Sequence, residues 1–218
     1  MRVSIVLAAT CTMTSAVLML SACGGSGSKD SDKIQGDTHS PSTAPTSASP
    51  SAPATVAAGR PTITFPTDAK DVFEDQHTGD ATKDAILADN AEWVESLDDA
   101  IFRGSTGTKA LGFYATGMGV DKSVTYVQGF LGKNYTWQGT VRFFDRKVTL
   151  LSSGTAAVIY CSDESRGFLK DRKTGKIDNT PTTADSYVLY NTQLKKNAQG
   201  VWQTDNMLSD RGAKQCQP

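Results

Sequence analysis

The spacing of hydrophobic residues changes from a helical to a strand period near Tyr135, and this change restricts the folds open to the chain. Before it, residues 80–103 repeat apolar side chains at helical spacing on a face formed by Ile86, Trp93, Leu97 and Ile101. After it, apolar and polar residues alternate, which is typical of strands with one buried face. Helices followed by strands predict an α+β domain, with the helices packed on a curved antiparallel sheet.

Shorter elements are predicted around the long helix. Residues 62–66 are interpreted as extended, either as an edge strand or as a packed arm. Residues 68–76 are predicted to form a short helix with Thr67 as its N-cap. Two further helices are predicted at 108–116 and 121–131, separated by a turn that contains two glycines.

The second half of the chain is predicted to contain four strands, at 135–151, 155–163, 185–194 and 201–207. The first is expected to bend or break near Asp145. Turn sequences at 152–154 and 197–200 predict antiparallel neighbours. The charged stretch 164–182 is predicted to be a loop, because it contains a Thr-Gly pair and a proline.

A segment of low complexity precedes these elements. Residues 24–61 consist largely of Ser, Thr, Ala, Pro and Gly, and only Ile34 and Val56 are branched aliphatics. Such a segment buries too little apolar surface to offset its chain entropy. It is predicted to be a disordered stalk that spaces a single globular domain, residues 62–218, from its point of attachment.

The first 22 residues have the features of an export signal. Arg2 precedes an uncharged apolar run over residues 3–20, which ends at small residues. A run of this length would also suit a transmembrane helix. Its position at the N-terminus, its Ala, Ser and Thr content and its small-residue end favour a signal peptide that is removed before Cys23.

Residues 20–23, Leu-Ser-Ala-Cys, resemble the lipobox of bacterial prolipoproteins, of a kind common in actinobacteria. The resemblance implies that Cys23 receives a diacylglyceryl group and becomes the mature N-terminus. Two or more acyl chains hold a protein stably on a bilayer. An extracytoplasmic protein anchored to the cell membrane by lipid is therefore predicted.

Two of the four cysteines remain in the predicted domain, Cys161 and Cys216. An even pair in an exported chain predicts a disulfide. Two buried thiols are the alternative. A zinc site is disfavoured, since no further Cys or His stands near either cysteine in the sequence.

Charge and motifs argue against several functions. The formal net charge is −1 and the Lys and Arg residues are scattered, which disfavours a nucleic-acid partner. The densest basic group, residues 170–176, is interpreted as a solvated loop. The chain has neither a G-x-S-x-G nor an H-E-x-x-H motif. No cofactor, metal or catalytic residue is predicted.

The order of the elements and turns such as 198–202, Ala-Gln-Gly-Val-Trp, resemble the nuclear-transport-factor-2-like superfamily, also described as SnoaL-like or cystatin-like cones. The resemblance spans roughly residues 68–210. It implies a cone-shaped pocket between the helices and the concave sheet. Some members, among them ketosteroid isomerases and polyketide cyclases, carry out acid–base chemistry there, which requires a carboxylate or histidine in an apolar pocket.

Four tyrosines are the candidate pocket residues: Tyr126, Tyr160, Tyr187 and Tyr190. Ordinary core or cross-strand packing is the alternative. Three acids are candidates for a catalytic role. Asp163 and Asp185 are expected at strand ends, and Asp121 is expected at the start of a helix. None of these positions predicts a buried carboxylate.

The favoured hypothesis is therefore a non-catalytic module that binds a small apolar ligand or a cell-envelope protein. The first alternative is an isomerase-like or cyclase-like enzyme that uses a pocket Asp or Tyr. The second alternative is a structural protein of the cell envelope. A fold alone does not distinguish among them.

Overall fold

Three helices cover one face of a curved sheet in the computed structural model, which describes residues 59–218. The helices are α1 (Ala81–Arg103), α2 (Lys109–Tyr114) and α3 (Gly117–Leu131). The strands are β1 (Ala69–Phe73), β2 (Tyr135–Ser152), β3 (Thr155–Asp171), β4 (Ile177–Asp178), β5 (Tyr187–Lys196) and β6 (Trp202–Arg211). The predicted signal peptide, Cys23 and most of the predicted stalk lie outside the described residues.

The sheet has the strand order β1-β2-β3-β5-β6, and the short β4 pairs with β3. Strand β1 runs parallel to β2, and the other neighbours are antiparallel. The predicted α+β class, with helices on a curved and mostly antiparallel sheet, is confirmed. Among residues 59–218, no helix combines the length and the apolar character that crossing a bilayer requires.

Helix α1 confirms the long predicted helix and is capped at both ends. The Asp80 side chain accepts hydrogen bonds from the backbone N–H groups of Thr82 and Lys83, at 2.8 and 3.1 Å. Gly104 ends the helix in the left-handed conformation, with φ of 71°. Because α1 lies between the sheet and an N-terminal arm, most of its residues from Ile86 onward are buried.

The arm is the extended segment 60–66, and polar contacts with α1 hold it in place. Arg60 Nη1 lies 2.5 Å from the buried Asp89 carboxylate. The backbone N–H of Thr64 donates to Asp99 Oδ1 at 3.1 Å. Residues 62–66 are thus a packed arm rather than a strand.

The helix predicted at 68–76 is wrong, since this segment contains β1. Ala69 pairs with Gly139 and Phe73 with Phe143, and the Phe73 and Phe143 rings stack at 4.7 Å between centroids. The polar residues that suggested a helix alternate in the strand, where Lys70 is exposed and Ala69 is buried. Pairing with a distant strand thus overrides a weak local helix preference.

The loop predicted at 164–182 is also wrong over its first half, where β3 continues to Asp171. This part of β3 pairs with the beginning of β2, so that Tyr135 lies opposite Asp171 and Thr140 opposite Arg166. Charged residues do not exclude a strand when alternate side chains face solvent. Only the segment after Asp171 forms turns and irregular structure, apart from β4.

The expected bend of β2 near Asp145 is present. The register with β3 shifts between Phe144 and Lys147, and Asp145 adopts a positive φ of 52°. A bulge of this kind bends a strand and redirects its side chains. Here it turns Arg146 inward, where the side chain is buried and donates to the carbonyl oxygen of Leu87 at 2.7 Å.

Cys161 and Cys216 form a disulfide bond, with their Cα atoms 5.5 Å apart. Cys161 lies on β3, and Cys216 ends a short 3-10 turn that begins at Lys214. Both sulfur-bearing residues are buried in a small cluster with Ala213. The disulfide therefore attaches the C-terminal segment to the sheet.

The variant Cys216→Ser is expected to lower the free energy of unfolding by about 4 kcal/mol, because the lost bond links residues 55 apart. Chemical denaturation of the oxidised protein and of the variant measures the difference. Cys161→Ser serves as a control and should lose the same amount, and a reductant should not destabilise either variant further. An unchanged midpoint in both variants would contradict a contribution of the disulfide to stability.

Candidate functional site

A cavity of about 100 Å³ lies between α1, α3 and the concave face of the sheet. Its walls are mainly aromatic, and include Trp93, Tyr126, Trp137, Phe143, Tyr160 and Tyr190. Protein interiors are close-packed and contain few voids larger than a water molecule, so a cavity of this size between the helices and the sheet is unusual. An apolar cavity of somewhat larger size, about 150 Å³, accommodates a benzene molecule in another protein. The cavity is therefore of the right order for a ligand with one ring.

Three of the four candidate tyrosines line this cavity. Tyr160 on β3 pairs directly with Tyr190 on β5, and their rings stack at 5.2 Å between centroids. Tyr126 on α3 lies across the cavity from the sheet. Burial raises the pKa of all three hydroxyls, so they remain neutral and able to donate hydrogen bonds.

The fourth candidate, Tyr187, does not line the cavity and is a correction to the sequence analysis. It packs against the small cluster that contains the Cys161–Cys216 disulfide. Successive side chains of a strand point to opposite faces of the sheet. Tyr187 and Tyr190 are three residues apart on β5, so they face opposite sides.

The polar centre of the cavity is a pair of carboxyl groups on Asp71 and Asp98. Asp71 lies on β1, on the same face as Ala69 and Phe73, and Asp98 lies on α1. The Asp98 Oδ1 atom accepts a hydrogen bond from Trp137 Nε1 at 2.7 Å. The two carboxyl groups are close enough to share a proton.

Asp71 is the less satisfied member of the pair. Both of its carboxylate oxygens are shielded from solvent. With both acids ionised, neither oxygen accepts a hydrogen bond from any donor within residues 59–218. A buried carboxylate without donors is costly, and protonation removes much of this cost. The structure therefore favours a neutral or shared-proton state of the pair.

The pKa values follow this environment. Burial raises the pKa of Asp98 to about 7, although the hydrogen bond from Trp137 acts in the opposite direction. Burial and the adjacent Asp98 charge raise the pKa of Asp71 well above its usual range. Because the two carboxyl groups interact with each other, they titrate together rather than as separate acids.

A third acid, Glu164 on β3, also lines the cavity but is neutralised. Its Oε2 atom lies 2.8 Å from Arg211 Nη1, and its Oε1 atom accepts from the Ser162 hydroxyl at 3.3 Å. Glu164 is therefore an ion-pair partner, whereas Asp71 and Asp98 have no cationic partner within residues 59–218. The sequence analysis missed all three acids.

The reasons for these omissions differ. Asp71 was assigned to a helix and Glu164 to a loop, so neither was expected to face a pocket. Asp98 carried a usable signal, because it lies four residues after Val94 and three before Ile101, within the apolar stripe of α1. An acid within such a stripe is either paired or functional.

Within residues 59–218, no group of three or more His, Cys, Asp and Glu side chains converges to hold an ion. Asp163 and Asp185, which the sequence analysis placed at strand ends, do not line the cavity. Asp163 instead lies 3.5 Å from Arg142.

Comparisons with known proteins find distant similarity to solved structures. No protein-family model and no curated protein sequence matches the chain. A ketosteroid isomerase-like protein from Erwinia carotovora atroseptica is similar at 16% identity and a TM-score of 0.38, over 58% of this chain and 93% of that one. A cystatin-like domain from Nostoc punctiforme has 18% identity and a TM-score of 0.36, over 60% and 77% of the two chains.

A protein from Shewanella frigidimarina, described as a putative ketosteroid isomerase, shares 10% identity with a TM-score of 0.32, over 60% of this chain and 98% of that one. At such TM-scores these likenesses carry no information about ligand or activity. The α+β arrangement rests on the observed helices and sheet themselves.

The variant Asp98→Asn is expected to flatten the dependence of stability on pH. In the wild type the folded-state pKa of Asp98 is raised to about 7, so the folded protein binds more protons than the unfolded chain between the two pKa values. Its free energy of unfolding should therefore fall as the pH rises, by about 2–3 kcal/mol between about pH 5 and pH 8. Urea denaturation across this range measures the slope.

Asp121→Asn is the matched control for this prediction, because Asp121 is exposed on α3. This variant should keep the wild-type slope. A wild-type stability that rises steadily between the two pH values, or an Asp98→Asn variant with the same slope as the wild type, would contradict the assignment of a raised pKa to Asp98.

Proposed function

We propose that the domain is a non-catalytic module that binds a small, largely apolar molecule in the cavity between α1, α3 and the sheet. The observation that carries the proposal is a cavity with aromatic walls and a buried carboxyl pair that has no cationic partner in the described part of the chain. Ligand sites commonly combine apolar walls with a few placed polar groups that fix orientation. The cavity of about 100 Å³ restricts the buried part of the ligand to roughly one ring.

The cavity walls support binding better than they support a purely structural role. Trp93, Trp137 and Tyr160 present ring surface to an opening that a tightly packed core would fill. The indole N–H of Trp93 is bonded to Ser123 at 3.1 Å, and that of Trp137 to Asp98. These bonds hold the rings in fixed orientations, which reduces the conformational cost of binding a ligand between them.

The variant Val141→Phe tests the proposal by filling the cavity. Val141 lines the cavity and pairs with Asp71, so a larger side chain there should exclude the ligand. Native mass spectrometry of the lipoprotein purified from its own host's membranes is expected to show a bound small molecule in the wild type and none in Val141→Phe. Ile159→Phe is the control, because Ile159 is 42% exposed and does not line the cavity.

Equal retention of the molecule in Val141→Phe and in the wild type would contradict binding in this cavity. Absence of any bound molecule, together with retention of the wild type on purified cell wall, would instead support the structural alternative. A co-purifying polypeptide would point to a cell-envelope protein as the partner.

Proton-transfer catalysis is a second candidate function, and the Asp71–Asp98 pair is the observation that favours it. A carboxyl group with a pKa near neutrality in an apolar site suits general acid–base work. The molecule identified by mass spectrometry distinguishes the two functions when it is incubated with the protein in D₂O. An enzyme of this type would introduce deuterium at carbon, and Asp71→Asn or Asp98→Asn would abolish the exchange, whereas a binding module would leave the molecule unlabelled.

The location proposed for this module is the outer face of the cell membrane, with a lipid on Cys23 and residues 24–61 as the spacer. The support is the lipobox-like stretch and a disulfide, which is consistent with an extracytoplasmic compartment. Cells fed an alkyne-bearing fatty acid should label the wild-type protein, while Cys23→Ala should remain unlabelled and uncleaved before residue 23. Equal labelling of both would contradict lipid attachment at Cys23.

A further inference from the structure

We propose that the ligand of this cavity is an organic cation, with an apolar ring seated among the aromatic walls and a protonated amine held by Asp71 and Asp98. The inference rests on the proposed binding function and specifies its ligand class. Its basis is a contrast among the buried acids of the domain. Asp89 and Asp99 each have a cation and an N–H donor from the backbone, whereas the cavity pair has no cation among residues 59–218.

The other buried acids of α1 show what a satisfied carboxylate looks like in this fold. Asp89 lies against Arg60 and also accepts from the backbone N–H of Trp202 at 2.8 Å. Asp99 accepts twice from Arg103 Nε, at 2.7 and 2.9 Å. Each therefore has a full positive charge beside it.

The cavity pair has one neutral donor for two carboxyl groups. Trp137 Nε1 donates to Asp98, and none of the ion pairs formed within residues 59–218 includes Asp71 or Asp98. Carboxylates are acceptors only, so two of them side by side require a proton or a cation between them. The free protein meets this need with a proton, and a ligand ammonium can replace it.

The basic residues nearest the cavity are engaged elsewhere. Arg211 pairs with Glu164 at 2.8 Å, and Arg142 pairs with Glu74 at 3.1 Å. The buried Arg146 donates to Gln76 at 2.6 Å and to backbone and amide oxygens of α1 rather than to the cavity acids. A positive charge for Asp71 and Asp98 must therefore come from outside the described part of the chain.

The surroundings suit a cation bearing a ring more than a metal ion or an anion. The faces of aromatic rings attract cations, and the cavity presents Trp, Tyr and Phe rings from α1, α3 and the three strands β2, β3 and β5. An anion would meet two acids and Glu164. A metal ion would find only two close carboxylates and no third ligand within residues 59–218.

Exchange of the proton for the ligand makes binding depend on pH. The ammonium ligand binds to the protein in which the pair carries a proton. In the complex a carboxylate is ionised, and the proton that it held is released to solvent. The titratable groups that face the pair are Glu95 on α1, Tyr126 on α3, Tyr160 and Glu164 on β3, Tyr190 on β5 and Arg211 on β6. The tyrosines stay neutral and Glu164 stays paired with Arg211, so Glu95 is the neighbour whose titration must be controlled.

Three single-ring probes test the charge requirement: benzylamine, benzyl alcohol and phenylacetate, which are cationic, neutral and anionic. The protein is the mature chain from residue 23 with Cys23→Ser, so that no lipid or detergent competes for the cavity. Isothermal titration calorimetry is expected to show benzylamine binding at least about 10-fold more tightly than benzyl alcohol, and phenylacetate not binding. Benzylamine affinity should rise between about pH 5 and pH 8, because the competing proton is lost.

Variants assign the effect to the pair. Asp71→Asn and Asp98→Asn should each weaken benzylamine binding at least about 30-fold and leave benzyl alcohol binding unchanged. Glu95→Gln should keep the pH dependence, and Asp163→Asn, at a carboxylate paired with Arg142 outside the cavity, should bind like the wild type. The heat of benzylamine binding should vary with the ionisation enthalpy of the buffer, which reports the released proton.

The outcomes separate this inference from the function on which it rests. Benzyl alcohol binding as tightly as benzylamine, with both excluded by Val141→Phe, would overturn the cation requirement and leave the binding function standing. No heat from any of the three probes at millimolar concentration would overturn both. Benzylamine binding that survives Asp71→Asn and Asp98→Asn would also overturn the assignment to this pair.

Discussion

The burial of α1 on nearly all sides is the constraint on which the rest of the structure depends, because the helix carries three acids into the interior. Two of them, Asp89 and Asp99, face the arm and receive arginine and backbone N–H donors. Burying a charge is tolerable only with such partners, so these acids attach the arm and β6 to the helix. The third, Asp98, faces the sheet, where its neighbours are Trp137 and Asp71. The same helix therefore stabilises the fold on one side and forms the polar centre of the cavity on the other.

A register shift in the sheet, as well as the alternation of side chains along its strands, determines which residues line the cavity. The register between β2 and β3 shifts between Thr140 and Arg142, and this shift changes which β3 residues face inward. Tyr160 and Glu164 face the cavity before the shift, and Gly167 faces it afterwards, an odd number of residues further on. In a strand without this shift, Gly167 would face the side opposite to Tyr160 and Glu164. The bulge thus extends the cavity wall along β3 and brings Glu164 to its edge.

The predictions from sequence succeeded where local spacing determines the outcome and failed where distant segments do. The α1 helix, the bend at Asp145 and the two hairpin turns were predictable, because periodicity and turn residues act within a few positions. Three of the four candidate tyrosines lie at the cavity, whereas Tyr187 packs elsewhere, because the face of a strand residue depends on the exact register. Asp71 was missed because β1 forms only by pairing with β2, which lies far along the chain. A short polar segment has no strong preference of its own, so tertiary pairing decides its structure.

The sequence by itself determined the α+β class, the long helix α1, the four long strands that follow the helices, and a cysteine pair suited to a disulfide. These properties follow from hydrophobic periods and residue types that any conformation of the chain would carry. Only the tertiary structure decided that Asp71 and Asp98 share one cavity, since they belong to a strand and a helix that meet through packing. Their raised pKa values exist for the same reason, because desolvation is a property of the assembled interior and not of either residue in the free chain.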